Sequence, residues 1–188
     1  FEKELESLGM EEDKLITEMR EQAKLISPQI MPQLTQIFGE YEVFSVEEQL
    51  YENIKDSDTG YNFKGFIDLV IRTSDGKFHI IDWKTCSWGW DAKKRSDKYI
   101  TYQLTLYKKF WCQKYDVDPK LVETHFALLK RTAKKDNVEI FRVTSGPRKV
   151  ENATKLLTTA LVHISKQHHV KDRRSCQGCE FNKTEHCK

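Results

Sequence analysis

The 188-residue chain is long enough to bury a sizeable core in one domain, and 32% charged against 38% hydrophobic residues excludes a low-complexity or membrane-embedded protein. A formal net charge of +2 is too small to identify a nucleic-acid partner, so any basic surface has to be local. Five cysteines do not read as a secreted disulfide framework, no apolar run reaches the ~18–20 residues that span a bilayer, and the charged start is not signal-like; the expectation is a reducing interior and an N-terminus trimmed before Phe1.

Residues 1–26 carry Leu5, Leu8, Leu15, Ile16, Met19, Ala23 and Ile26 at amphipathic-helix spacing, interrupted near Gly9. Ser27-Pro28 reads as the cap and first turn of a second helix, which Gly39 ends. Residues 41–52 read as a strand and Asp56-Ser57-Asp58-Thr59-Gly60 as a loop. Glu47 and Glu48 are neighbours on that strand, so alternation lets only one of them face the acids described next. The preference is for Glu47, with Glu48 kept as the alternative.

Gly65–Arg72 and Phe78–Thr85 are rich in β-branched and aromatic residues and flank Ser74-Asp75-Gly76, so they read as a hairpin. Alternation puts Phe66, Asp68 and Val70 on one face, and Phe78, Ile80, Asp82 and Lys84 on one face of the second strand. A two-residue loop would set Asp68 against Trp83. A three-residue loop ending on a left-handed Gly76 sets Thr73 against Lys77 and Asp68 against Asp82. Gly76 favours the second register. The two carboxylates then stand roughly 5 Å apart at Cβ, with Lys84 about 7 Å beyond Asp82. Like charges directly opposite destabilise a sheet, and a divalent cation held by oxygen ligands would offset the repulsion. Inward charges on an edge strand, or a plain Asp82–Lys84 pair, are the structural alternatives.

Residues 86–98 form a predicted loop with Trp88, Trp90 and the basic cluster Lys93, Lys94, Arg95 and Lys98, a mixture suited to stacking on bases and contacting phosphates. A helix is expected from Tyr99 to Tyr115, with Gln103 and Tyr107 four apart on one face. Asp118-Pro119 caps a turn, strands follow at His125–Lys130 and Val138–Val143, and Ser145-Gly146-Pro147 opens a helix reaching about His168. The tail carries Cys176-Gln177-Gly178-Cys179 and, after seven intervening residues, Cys187; a Cys-x-x-Cys pair can present two thiolates to one metal, zinc or an iron–sulfur cluster. A fourth ligand would come from His186, His169, Cys86, Cys112 or a residue beyond the N-terminus.

Gly-Phe-Ile-Asp68, then Ile-Ile-Asp82-Trp83-Lys84-Thr, then Gln103-x-x-x-Tyr107, resembles the PD-(D/E)XK nucleases of the RecB-like exonuclease branch, which includes phage-type and CRISPR-associated RecB-like exonucleases. The resemblance runs from about Glu47 to Cys187. It implies an α/β, restriction-endonuclease-like mixed sheet flanked by helices, as a single nuclease domain over 1–188: N-terminal helices in 1–39, a catalytic core in 41–170 and a cysteine-containing tail in 171–188. It implies that Asp68 and Asp82 bind Mg²⁺ or Mn²⁺, that the Trp83 carbonyl and Glu47 (or Glu48) complete the site, that Lys84 activates water, and that Gln103 and Tyr107 position the strand being cut. The implied activity is exonucleolytic DNA hydrolysis in processing, recombination or repair, in a bacterial cytoplasm or a host cytoplasm if phage-encoded. A catalytically silent nucleic-acid-binding module is the alternative. Many such nucleases hold a four-cysteine iron–sulfur cluster with one ligand ahead of the catalytic strands. This chain has no cysteine before Cys86 and a longer final spacing, so the cluster is incomplete, replaced by zinc, or absent.

Overall fold

A computed structural model describes residues 7, 9, 14–55, 60–168 and 173–187. Leu5 and Leu8 of the first predicted helix, positions 56–59 of the predicted loop and the candidate ligand His169 lie outside them. The elements run α1 (Lys14–Phe38), β1 (Tyr41–Asn53), β2 (Asn62–Thr73), β3 (Phe78–Cys86), α2 (Ala92–Ser96), α3 (Lys98–Tyr115), β4 (Val122–Lys130), β5 (Val138–Val143) and α4 (Pro147–Ser165). The strands form one mixed sheet in the order β1-β2-β3-β4-β5, antiparallel except for the parallel β3–β4 pair. This is the α/β, restriction-endonuclease-like class expected from the sequence. Among the described residues no helix is long and apolar enough to cross a membrane.

Each face of the sheet buries a different cluster. On one side α3 sets Leu104, Phe110 and Trp111 against Ile67, Val70, Ile80, Phe126 and Leu128, all fully buried. Each such side chain contributes about 1.5–3 kcal/mol of burial, and α4 packs on the back of α3. On the other side α1 lays Leu34, with Ile30 and Phe38, over Leu69, Ile71, Ile81 and Ala127. β3 therefore lies in the middle of the sheet with both faces covered. A charged residue buried there needs a reason.

Two local expectations are corrected. The predicted restart at Ser27-Pro28 is absent: α1 runs unbroken through Pro28 and Pro32 to Phe38, where Gly39, at φ +69°, donates its N–H to Thr35 O at 2.9 Å. Each proline removes one helical bond, yet Ile26 and Leu34 remain buried on either side of them, and Gln29 Nε2 reaches back to Leu25 O at 2.9 Å. Packing on the sheet holds the helix together across the missing bonds. The predicted loop 86–98 contains the helix α2, whose N-cap Asp91 accepts from Lys94 N–H at 2.7 Å.

Candidate active site

The register between β2 and β3 is the one the three-residue turn demands: Leu69 opposes Ile81 and Arg72 opposes Phe78, with Thr73 N–H on Lys77 O at 3.0 Å and Gly76 at φ +81°. Continued by one residue, it sets Asp68 across from Asp82. The ladder ends at that point. β2 stays paired with β1 as far as Asn62, while β3 stays paired with β4 as far as Cys86, so the two middle strands part like a fork. An unbroken antiparallel ladder would bring the Trp83 N–H to the Ile67 carbonyl. Instead Asp68 Oδ2 accepts that N–H at 2.7 Å. The carboxylate replaces the lost ladder bond and is fixed at the mouth of the fork.

The alternation expected for Phe66, Asp68 and Val70 fails at the same place. Ile67 and Val70 both join the cluster under α3, whereas Leu69 and Ile71 join the one under α1. β1 changes parity alongside: Ser45 pairs with Val70 and Glu48 with Ile67, and between them Glu47 adopts a left-handed φ of +48°. An alternation argument cannot foresee a switch that both strands make together.

Asp82 is buried in β3, its side chain 3% exposed. Its Oδ1 accepts from Gln103 Nε2 at 3.2 Å, and the same amide donates to Tyr107 Oη at 3.1 Å, so the pair on α3 reaches the carboxylate as a unit. Asp82 Oδ2 lies 2.7 Å from Lys84 Nζ, the distance of a charge-assisted contact. Burial drives the Asp82 pKa upward, Lys84 pulls it back, and the negative charge of Asp68 adds to the rise. Two carboxylates brought together at the fork, Asp82 and Asp68, are an all-oxygen set that suits a hard divalent cation.

Gly65 shows why Tyr107 fits. A Cβ at that position would stand 2.8 Å from Tyr107 Cε1, so only glycine lets the ring close onto β2. The sequence signal is a glycine inside a strand, which marks close approach of another group.

Other candidate residues lie elsewhere or are committed. Glu48 is buried, held by Lys114 Nζ and by Tyr115 Oη at 2.8 Å. Burial acts upward on its pKa, but the hydrogen bonds from Lys114, Tyr115 and Ser45 outweigh it and lower the value. Glu47 is exposed opposite Asp68 and, among the described residues, does not join Asp68 and Asp82 in a three-ligand set. Within the basic cluster, Arg95 is built into the fold: its guanidinium lies 2.6 Å from Glu139 Oε1 and donates to Trp90 O at 2.8 Å. Lys94 covers the Trp90 ring at 4.7 Å, Lys98 covers Tyr99 at 4.9 Å, and Lys93 is exposed. Trp90 is buried and Trp88 is 70% exposed. Cys176, Cys179 and Cys187 are free thiols that, among the described residues, are not gathered into one ligand set; Cys112 is on the buried face of α3.

The sequence matches a family model described as the PD-(D/E)XK nuclease superfamily over residues 1–184. The fold is similar to that of a candidate exonuclease from Eubacterium rectale, with a TM-score of 0.56 and 14% identity over 89% of this chain and 60% of that one. The protein SSO0001 gives a TM-score of 0.47 and 18% identity over 85% of this chain and 66% of its own. The chain thus spans less than two thirds of the length of either. No curated protein matches it. With a mixed five-stranded sheet, a fork at Asp68 and Asp82, and a family match over nearly its whole length, the chain belongs to the PD-(D/E)XK nuclease superfamily, whose members use divalent metal ions.

Proposed function

We propose that the protein is a Mg²⁺- or Mn²⁺-dependent deoxyribonuclease that hydrolyses phosphodiester bonds from a DNA end, in processing, recombination or repair. The observation that carries this reading is the convergence at the β2–β3 fork. Asp68 is fixed there by the Trp83 N–H, and Asp82 is met by Lys84 at 2.7 Å and by Gln103 at 3.2 Å. Asp68 and Asp82 would hold the metal, with the Trp83 carbonyl and Glu47 as the remaining candidate ligands. When bound, such an ion lowers the pKa of a coordinated water and neutralises charge on the phosphoryl oxygens.

The protein groups supply the rest. Lys84, about one third exposed, keeps its ammonium at the mouth of the fork and faces the attacking water and the scissile phosphate. Gln103 and Tyr107 present amide and hydroxyl groups beside Asp82, where they orient the strand being cut. The nucleic-acid strand would enter where the pairing of β2 with β3 ends.

The test uses end-labelled linear DNA and covalently closed circular DNA with Mg²⁺, with Mn²⁺ and with EDTA. The parent is expected to degrade the linear DNA only, and only with a metal. Lys84→Ala is expected to slow cutting on the order of 10²–10³-fold, the effect of removing one preorganised electrostatic group, and Asp82→Ala to slow it at least as much. A parent that fails to cut with every divalent ion tried leaves the silent nucleic-acid-binding module; undiminished cutting by both variants removes this site. Cutting of the circle makes the enzyme an endonuclease.

A further inference from the structure

A second cluster of ligating side chains lies on the face of the sheet away from the fork. The parallel β3–β4 register sets His79 against Glu123 and Ile81 against His125, so His79, Glu123 and His125 share one face. Phe38, at the end of α1, closes over both imidazoles, with ring centroids 4.8 Å from His79 and 5.1 Å from His125. His79 is 7% exposed and His125 5%, and one ligand atom from each of the three residues lies within 4.8 Å of the others.

Hydrogen bonding decides what the cluster presents. The Thr73 hydroxyl gives its one proton to Asp75 Oδ1 at 2.6 Å or to Lys77 O at 3.3 Å, so its oxygen accepts from His79 Nε2–H at 3.1 Å. A neutral imidazole carries one ring proton, which leaves His79 Nδ1 as a bare lone pair. That lone pair is 4.0 Å from Glu123 Oε2, and neither His79 Nδ1 nor His125 Nδ1 has a hydrogen-bond partner. Burial lowers the pKa of both rings, that of His125 to about 3, so protonation does not fill the gap. Two buried imidazole nitrogens without partners, in one cluster with a carboxylate, are unusual in a folded protein. Glu123 already gives Oε1 to Arg142 at 3.3 Å, which leaves Oε2 toward His79, and a cation held at Oε2 would give that oxygen and the unpartnered imidazole nitrogens a common partner.

We propose that His79, Glu123 and His125 bind a zinc-like transition-metal dication, at a site distinct from the magnesium-type pair on the other face. Two imidazoles and one carboxylate are a zinc donor set and a poor one for Mg²⁺. A cation among three atoms no more than 4.8 Å apart can sit within about 2.8 Å of each, so the ligands need close by no more than about 0.7 Å to reach the ~2.1 Å bonds zinc makes. Thr73, bonded to Nε2, fixes the His79 ring with Nδ1 inward, the usual arrangement behind a metal-bound histidine. The metal joins β3 to β4 beneath the end of α1, three residues upstream of Asp82.

The test titrates the metal-stripped full chain, in a Cys176→Ser/Cys179→Ser/Cys187→Ser background that removes the tail thiols, with Co²⁺ and then competing Zn²⁺. One equivalent of Co²⁺ is expected to give visible d–d absorption that Zn²⁺ displaces, with or without Asp82→Asn to disable the fork. His125→Gln and Glu123→Gln are each expected to weaken binding at least about tenfold. Circular dichroism checks the fold; if His125→Gln does not fold, the partly exposed Glu123→Gln carries the comparison. No Co²⁺ spectrum in this background, or undiminished binding by folded Glu123→Gln, overturns the proposal whatever the nuclease assays give.

Discussion

Asp82 works against the stability of the strand that carries it. Its side chain is 3% exposed in the middle of the sheet, and burial raises its pKa despite the ammonium of Lys84. A carboxyl whose folded-state pKa is raised holds its proton more tightly folded than unfolded. Stability is therefore lost as pH climbs from the ordinary aspartate value through the raised one, and the ionised form remains a liability at neutral pH. Asp82→Asn keeps the shape and removes the charge. The metal-free variant is expected to melt above the parent at pH 7, with the gap narrowing towards pH 4, where Asp82 in the parent takes up its proton. Mg²⁺ is expected to raise the melting temperature of the parent more than that of the variant, because a ligand stabilises only the form that binds it. Scanning calorimetry at the two pH values, with and without Mg²⁺, decides it. A variant less stable than the parent at pH 7 would show that the Lys84 contact outweighs burial.

At the level of elements, the hairpin was the most legible part of the chain. Gly76 alone selects the turn, and the turn fixes which residues of β2 and β3 face each other. The fork was not legible, because strand alternation assumes that a ladder continues and nothing in Ile67-Asp68-Leu69 marks its end. The short helix α2 was missed for a related reason: five residues are too few to show a periodicity, and Asp91 as its cap was the only signal. Gly65 is where a legible signal and the site meet. Gly65→Ala puts a methyl 2.8 Å from Tyr107 Cε1, and the Tyr107 ring, packed edge-on to Phe63 at 6.3 Å, has to move. Overpacking of this kind costs about 1–3 kcal/mol, and the shift carries Gln103 away from Asp82. The expected result is lower stability and roughly tenfold slower cutting, the rate loss that follows from ~1.4 kcal/mol of misplacement. Urea melts of Gly65→Ala in a Tyr107→Leu background check the cause: the penalty shrinks if the ring is the obstacle, and the two changes add if it is not.

Across the whole molecule the charges nearly cancel, at +2, so attraction for a polyanion has to come from where the cations sit rather than from their number. Lys93, Lys94, Arg95 and Lys98 follow one another closely in sequence, but the fold divides them. Arg95 spans from Glu139 to the Trp90 carbonyl and stacks on Phe141 at 4.5 Å, so it joins α2 to β5. Lys93, Lys94 and Lys98 are exposed, the last two over aromatic rings. If the three lysines meet phosphates, each contributes about 0.7 to 0.9 to the slope of log affinity against log salt, the lower figure for single strands. The Lys93→Ala/Lys94→Ala/Lys98→Ala protein is therefore expected to bind DNA more weakly at low salt, with a slope shallower by about 2–3, and to melt where the parent does. Arg95→Ala is expected to do the reverse. It loses a part-exposed ion pair and a carbonyl contact, about 1 kcal/mol together, which in a chain of this size is a fall of roughly 2–4 °C, while its salt slope stays that of the parent. Fluorescence anisotropy between 50 and about 200 mM salt, the range over which phosphate contacts change affinity steeply, measures both slopes. A parental slope in the triple variant would move the nucleic-acid surface away from α2, and the parted edges of β2 and β3 would then be the first place to look for it.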